Sequence, residues 1–213
     1  AETARQEAEL ARQKAETARA DAELKNLRNQ INPHFLLNTL NNIYALTAFD
    51  QTKAQQAIME LSGMLRHVLY DNQQEFVKLQ DEVTFIRSYV NLMKMRTSKT
   101  CRINVEVNIP EPCNKFVAPL IFISLIENAF KHGIAASGES FISISIKADT
   151  EGIECNVENS NHPKLQTDRS GHGIGLQQVQ KRLELSYGNR FSWEKGTKEN
   201  DSIYFSKIMI YDA

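Results

Sequence analysis

The sequence predicts two architectures in succession. An all-α antiparallel hairpin over residues 25–98, led in by an alanine-rich helix over 1–24, is followed by an α/β sandwich with a mixed, mainly antiparallel sheet over 99–213. Two observations carry this reading. Up to Met95 the apolar residues recur at helical spacing, with no strand-like alternation. After Thr100 they alternate at period two in several short runs separated by helical patterns.

Residues 1–24 contain no Gly, Pro or aromatic residue. Ala1, Ala4, Ala8, Ala11, Ala15, Ala18 and Ala22 form a heptad seam. Alanine buries little area, so a solvated single helix competes with a coiled coil. A second stripe (Ala20, Leu24, Leu27, Ile31) is offset from the first and predicts a shift in packing near residues 20–25. The helical pattern runs on through Leu36, Leu37, Leu40, Ile43 and Leu46 to a polar break at Asp50-Gln51-Thr52. A second helical pattern extends from about Lys53 to Met95; the segment Asp71-Asn72-Gln73-Gln74 could interrupt it, but no Pro or Gly forces a break. A lone hairpin cannot bury both faces of two such helices, so a dimeric four-helix bundle is expected.

In the second half, Ile103, Val105, Val107 and Ile109 alternate until Pro110 and Pro112 end the run. Pro119–His132 is a largely apolar helical segment with Gly133 at a C′-like position. Ile142, Ile144 and Ile146, then Ile153, Cys155 and Val157, predict two strands joined at Glu151-Gly152. A loop over 159–173 precedes an amphipathic helix from Ile174 to Tyr187, closed by Gly188-Asn189. Phe191/Trp193 and Ile203/Phe205 predict a last hairpin.

The 25 Lys+Arg against 26 Asp+Glu give a net charge of −1, which removes a bulk electrostatic case for nucleic acid or an anionic membrane surface. No stretch approaches the roughly 18–20 apolar residues that span a bilayer. Cys101, Cys113 and Cys155 form no CxxC pair, which argues against a disulfide framework or a zinc site and for a reducing compartment.

Three segments can carry chemistry. In Gln30-Ile31-Asn32-Pro33-His34-Phe35-Leu36-Leu37-Asn38, the proline either kinks the helix or restarts it with Asn32 as N-cap. Both readings set His34 on a distorted turn, with Gln30 and Asn38 one turn away on either side. Flanking amides can fix a tautomer and orient the free nitrogen, whereas a capping or core histidine is the plainer alternative. In Glu127-Asn128-Ala129-Phe130-Lys131-His132-Gly133, oxygen ligands and an ammonium lie within one turn. That set suits a divalent cation and a phosphate, or simply a solvated helix face. Gly171-His172-Gly173-Ile174-Gly175-Leu176 opens a helix, where glycines and free N–H groups can approach phosphate. Alone it is no more specific than a flexible loop. His67 reads as a helix-surface or interface residue, His162 as part of a polar loop, and Trp193 as a sheet-face residue.

Taken in order, the three segments resemble the sensor histidine kinases of the LytS/YehU type. NPHFLLNTLNNI is similar to that family's phosphoacceptor box, LIENAFKHG to its N box, and GHGIGLQQVQKRLELSYG to its G2 box and following helix. Leu79–Arg96, with Glu82, Tyr89 and Arg96, resembles its second helix, and the likeness covers about residues 25–210. The resemblance implies a dimerisation and phosphotransfer hairpin followed by a Bergerat-type ATP-binding domain. It makes His34 the phosphoacceptor; from the residues themselves, Gln30 and Asn38 are the groups placed to hold its ring, with Asn38 alternatively positioning water for dephosphorylation. Asn128 would hold Mg²⁺, and Lys131 and His132 would lie near the phosphates. Asn159 would face adenine, and Gly171, Gly173, Gly175 and Leu176 would belong to the ATP-lid turn. The implied cofactors are ATP and Mg²⁺. The implied partners are a second copy of the chain, an upstream sensor region that in this family is commonly membrane-embedded, and a response-regulator receiver domain, often joined to a LytTR DNA-binding domain. No direct nucleic-acid contact is expected of the kinase itself, which would be the cytoplasmic region of an inner-membrane bacterial protein.

The sequence departs from the wider pattern at three places. Phe35 stands where many histidine kinases have an acid directly after the phosphoacceptor. Asn159 takes the place of an aspartate that accepts from the adenine amino group, so adenine affinity falls by about 1 kcal/mol. Ser124 stands where related N boxes have a further asparagine. Asn159 and Ser124 keep open the alternative of a non-catalytic dimerisation and docking module with a degenerate nucleotide site.

Overall fold

The computed structural model describes Arg12 and residues 33–70, 74–135, 138–162 and 174–212, with backbone alone at 33–35, 69–70 and 174–175. The predicted alanine-rich segment over 1–24, single helix or coiled coil, lies outside the described residues, Arg12 excepted. Contacts divide the chain into two units, up to Met59 and from Glu60 onward.

The first unit contains helix α1 (Pro33–Thr47) and the opening half of α2 (Gln51–Tyr70). The polar break between them is a cap. The Asp50 carboxylate accepts from the Lys53 backbone N–H at 3.0 Å, three residues on, and meets the Lys53 ammonium at 2.8 Å. These bonds from Lys53 hold the Asp50 carboxyl below the usual carboxylate range. Helix α1 buries Thr39 and Ile43 and leaves Leu37, Leu40 and Tyr44 exposed at 61%, 47% and 80%, a stripe at i, i+3 and i+7.

The second helical pattern is not one helix. After α2 the chain forms a two-residue strand β1 (Val77–Lys78) and then restarts as α3 (Leu79–Arg96). Strand β1 pairs antiparallel with β3 (Phe116–Val117), Val77 opposite Val117, and Leu79 N–H donates to Lys115 O at 2.9 Å. The break is thus set by a partner nearly forty residues away, a contact that helical periodicity does not encode. Helix α3 buries Leu79, Val83, Ile86 and Val90 as one apolar stripe and carries Asp81 and Glu82 in its first turn and Lys94 and Arg96 in its last. That polarity complements the helix dipole.

The sheet runs β2 (Cys101–Asn108), β4 (Ser140–Ala148), β5 (Gly152–Ser160), β7 (Ile203–Tyr211), β6 (Phe191–Lys198) in spatial order. Strands β2 and β4 are parallel, and the other neighbours are antiparallel. The expected mixed, mainly antiparallel sheet is therefore present. The parallel pair requires a crossover, and the chain between those strands supplies β3 and α4 (Ile123–His132). Helix α4 is shorter than the apolar run that predicts it, because Pro119–Phe122 is a turn in which Leu120 adopts φ 56. It lies over β4 and β5, with α5 (Ile174–Tyr187) against it.

The core lies between sheet and helices. Ile142, Ile144, Ile146, Cys155, Val157 and Ile208 on the sheet are buried, as are Leu125, Ile126, Val179 and Leu183 on the helices. Both predicted hairpins form. At the first, Asp149 accepts from the N–H groups of Glu151 and Gly152 at 2.8 and 3.3 Å. No helix among the described residues is long and apolar enough to cross a membrane.

Candidate functional site

Helix α4 builds the site by splitting its residues between two faces. Leu125, Ile126, Ala129 and Phe130 point into the core. Glu127, Asn128, Lys131 and His132 repeat the same i, i+1, i+4, i+5 spacing about half a turn away, so they share the opposite face. Glu127, Asn128 and His132 are half-buried, and Lys131 is exposed. The buried face anchors the helix, and the other face carries the oxygen atoms and the ammonium.

Glu127 sits near α3. The ring of Tyr89 meets Phe130 edge-on at 6.0 Å. Burial drives the Tyr89 hydroxyl far above its ordinary range, Glu127 adds to the rise, and Arg96 opposes it. Burial likewise holds the Glu127 carboxyl above the usual carboxylate range. A carboxyl whose folded pKa exceeds its unfolded pKa opposes folding once pH rises through the folded value. Glu127→Gln is therefore expected to raise the melting temperature relative to the parent at pH 8 and to gain less at pH 4. An equal difference at both pH values in differential scanning fluorimetry would contradict this.

The end of α4 meets the end of β5. Gly133 closes the helix, its N–H donating to Ala129 O at 2.7 Å. Its φ of −88° is an ordinary right-handed conformation, not the left-handed C′ geometry the sequence suggests. The glycine is needed for space. A Cβ there would stand 2.6 Å from Ala129 O and 2.6 Å from Asn159 Cβ. Asn159 is buried opposite Ile142 on β4 and Tyr204 on β7. Its Nδ2–H donates to Ser160 O at 2.8 Å, which leaves Oδ1 as the acceptor end of the amide. His162, beyond β5, donates from Nε2 to Gly133 O at 3.3 Å and ties the loop after the strand to the end of the helix.

The structure thus sets Asn159 against Gly133, at the end of the helix that carries Asn128, Lys131 and His132. Gly175 and Leu176 lie in the first turn of α5. Gly171 and Gly173 lie outside the described residues, as do Gln30 and Asn32, so the choice between kink and restart at Pro33 lies outside them too. His34 is in helical backbone near the start of α1, and Asn38 follows one turn later, half-buried. Two residues read as unremarkable have specific places. His162 is the link just described, and no local pattern announces a contact across 29 residues. His67 is not on the surface. It is buried, stacks on Phe85 at 5.0 Å and donates to Glu82 Oε2 at 3.4 Å.

The sequence profile of the histidine kinase family matches residues 22–101, which hold the His34 segment and helices α1 to α3. Sensor protein LytS of Streptococcus agalactiae is 31% identical over 193 residues, covering 83% of this chain and 33% of that protein. Sensor histidine kinase BtsS of Escherichia coli is 32% identical over 171 residues, covering 79% of this chain and 30% of that protein. The chain belongs to the histidine kinase family. Among solved structures, the histidine kinase domain of a blue-light-activated kinase from Erythrobacter litoralis overlays with a TM-score of 0.49 at 12% identity, covering 91% of this chain and 95% of that one. The chain spans about a third of the length of the curated relatives it matches. Those alignments extend well past residue 101, so the likeness takes in the sheet-bearing unit as well as the His34 segment.

Proposed function

We propose that the chain is the catalytic region of a dimeric sensor histidine kinase that transfers the γ-phosphoryl group of ATP to His34 and then to an aspartate of a response regulator. The observation that carries this reading is the pairing of Gly133 with Asn159. The missing Cβ leaves room for a buried amide whose Nδ2–H donates to Ser160 O, so that Oδ1 is its acceptor atom, at the end of the helix that carries Asn128 and Lys131 on its other face. Adenine offers an amino donor to such an acceptor, and the phosphates would lie toward the cationic face.

The donor set also fits Mg²⁺ as a nucleotide-borne ion. Among the described residues no group of three or more His, Cys, Asp or Glu side chains could cage a metal. A hydrated ion held by one protein oxygen and by phosphates suits Mg²⁺, and Asn128 supplies that oxygen. When bound, Mg²⁺ neutralises charge on the phosphates. The rest falls to the chain's own residues. Histidine has an unperturbed pKa of about 6.5, so most of it is neutral at pH 7.5 and needs orientation more than deprotonation. A neutral ring nitrogen of His34 attacks the γ-phosphorus, an N–P bond forms, ADP leaves, and the proton on the other ring nitrogen is shed. Asn38, one turn on, and Gln30 hold the ring. Catalysis is then mainly positioning.

In this reading residues 25–98 form the phosphotransfer hairpin and 99–213 the ATP-binding domain, with 1–24 relaying a change from an upstream, membrane-embedded sensor. The exposed Leu37, Leu40 and Tyr44 stripe supports a second copy against α1. The word sensor in the names of both relatives supports the upstream region, and a receiver domain joined to a LytTR domain is the partner.

Thermal-shift titration with Mg-ADP tests the nucleotide site. A Kd near 100 µM stabilises the folded chain by about 1.4 kcal/mol at 1 mM nucleotide. No shift would favour a docking module, the reading that Asn159 in place of an aspartate keeps in view.

A further inference from the structure

A buried carboxylate outside the nucleotide site joins three segments of the sheet-bearing unit. Glu82, in the first turn of α3, has no solvent exposure. Its Oε2 accepts from His67 Nε2 of α2 at 3.4 Å and from the Leu120 backbone N–H at 3.0 Å. Leu120 is buried and left-handed at φ 56, a conformation that L side chains rarely adopt. It belongs to the turn that leads into α4, which starts three residues later. Helix α5 closes the surroundings. The half-buried Arg182 and the buried Tyr187 lie close enough for their ionisation to feel Glu82, and Tyr187 Oη accepts from the Ala118 N–H at 2.6 Å.

One carboxylate oxygen therefore joins α2, α3 and the turn before α4. The other oxygen, Oε1, is buried without a hydrogen-bond partner among the described residues. A buried carboxylate with an orphaned oxygen is a poor choice for stability alone, since desolvation outweighs what incomplete pairing returns. Strained backbone of the Leu120 kind persists where neighbouring groups hold it and clusters near functional sites.

We propose that Glu82 is a positioning residue: it holds Leu120 in its left-handed conformation, so fixing the launch angle of α4 and of the nucleotide-facing residues on it, and it ties that turn to helix α2 through His67. The proposal rests on the nucleotide reading for its consequence but not for its geometry. Helix α2 is continuous from Gln51 to Tyr70, so movement along it reaches His67 and, through the shared oxygen, the base of α4.

Amide hydrogen exchange and Mg-ADP calorimetry on the full chain test this with three variants. Glu82→Gln keeps an acceptor for Leu120 and is expected to stay near the parent in both measurements. Glu82→Met removes the acceptor. It is expected to raise exchange at Leu120 and the first turn of α4 and to weaken Mg-ADP binding about tenfold. His67→Phe keeps the stack on Phe85 and removes the ring nitrogens, and exchange at Leu120 is expected to rise. If Glu82→Met leaves exchange at Leu120 at the parental level, or if Glu82→Gln is as damaged as Glu82→Met, the positioning role is overturned. If His67→Phe leaves Leu120 unchanged, the tie to α2 is overturned. A parent that does not bind Mg-ADP would sink the nucleotide reading instead, with the exchange data still deciding the role of Glu82.

Discussion

The Gly133→Ala chain is expected to melt on the order of 5–10 °C below the parent, following an overpacking cost of about 2–3 kcal/mol. It is also expected to bind Mg-ADP about tenfold more weakly. The cause is steric. At φ −88° alanine has no backbone objection to the site. The added methyl would stand 2.6 Å from a backbone carbonyl oxygen that already accepts the helix-closing bond, so that neighbour cannot retreat cheaply. The softer neighbour is Asn159, whose Cβ is also at 2.6 Å, and displacing it moves the acceptor assigned to adenine. Gly188 provides the contrast. It sits at φ 60 with nothing within 4 Å of a built Cβ. Alanine there meets only local strain of roughly 1 kcal/mol and leaves nucleotide affinity alone. Calorimetry of both variants checks this, and a Gly133→Ala chain with parental Mg-ADP affinity would contradict it.

Asn128→Ala is expected to leave the melting temperature close to that of the parent and to lower phosphorylation of His34 about 100-fold. The side chain is half-buried on the face of α4 turned from the core, so its loss opens no cavity. The expected defect lies in the only protein oxygen assigned to Mg²⁺. Raising Mg²⁺ should restore part of the rate, and a rate unchanged from the parent would remove Asn128 from that role.

Elements dictated by local chemistry are legible in the sequence. Ile142, Ile144 and Ile146 alternate because one face of β4 is buried, and Asp50 marks a helix start because its carboxylate caps Lys53. Elements set by distant partners are not. The apolar run through 53–95 is helical on both sides of β1, and the pairing of Val77 with Val117 is a contact its periodicity does not encode. The turn at Pro119–Phe122 is just as apolar as the helix it precedes, so periodicity alone extends α4 too far back. Gly133 is conspicuous in the sequence, but its reason is not, because a close approach to Asn159 and a positive φ select the same residue. His67 reads as a helix-surface or interface residue because its partner, the buried Glu82, belongs to another helix. For the site itself, the motifs over residues 127–133 were readable as a set, while the link from His162 to Gly133 O required the fold.

The most direct test of the central claim is to incubate the chain with γ-labelled ATP and Mg²⁺ and to compare it with His34→Gln. The account predicts an acid-labile, base-stable label in the parent that maps to His34 and is lost in the variant, while both bind Mg-ADP equally. A label that persists in His34→Gln, or a parent that binds neither nucleotide nor label, would contradict it.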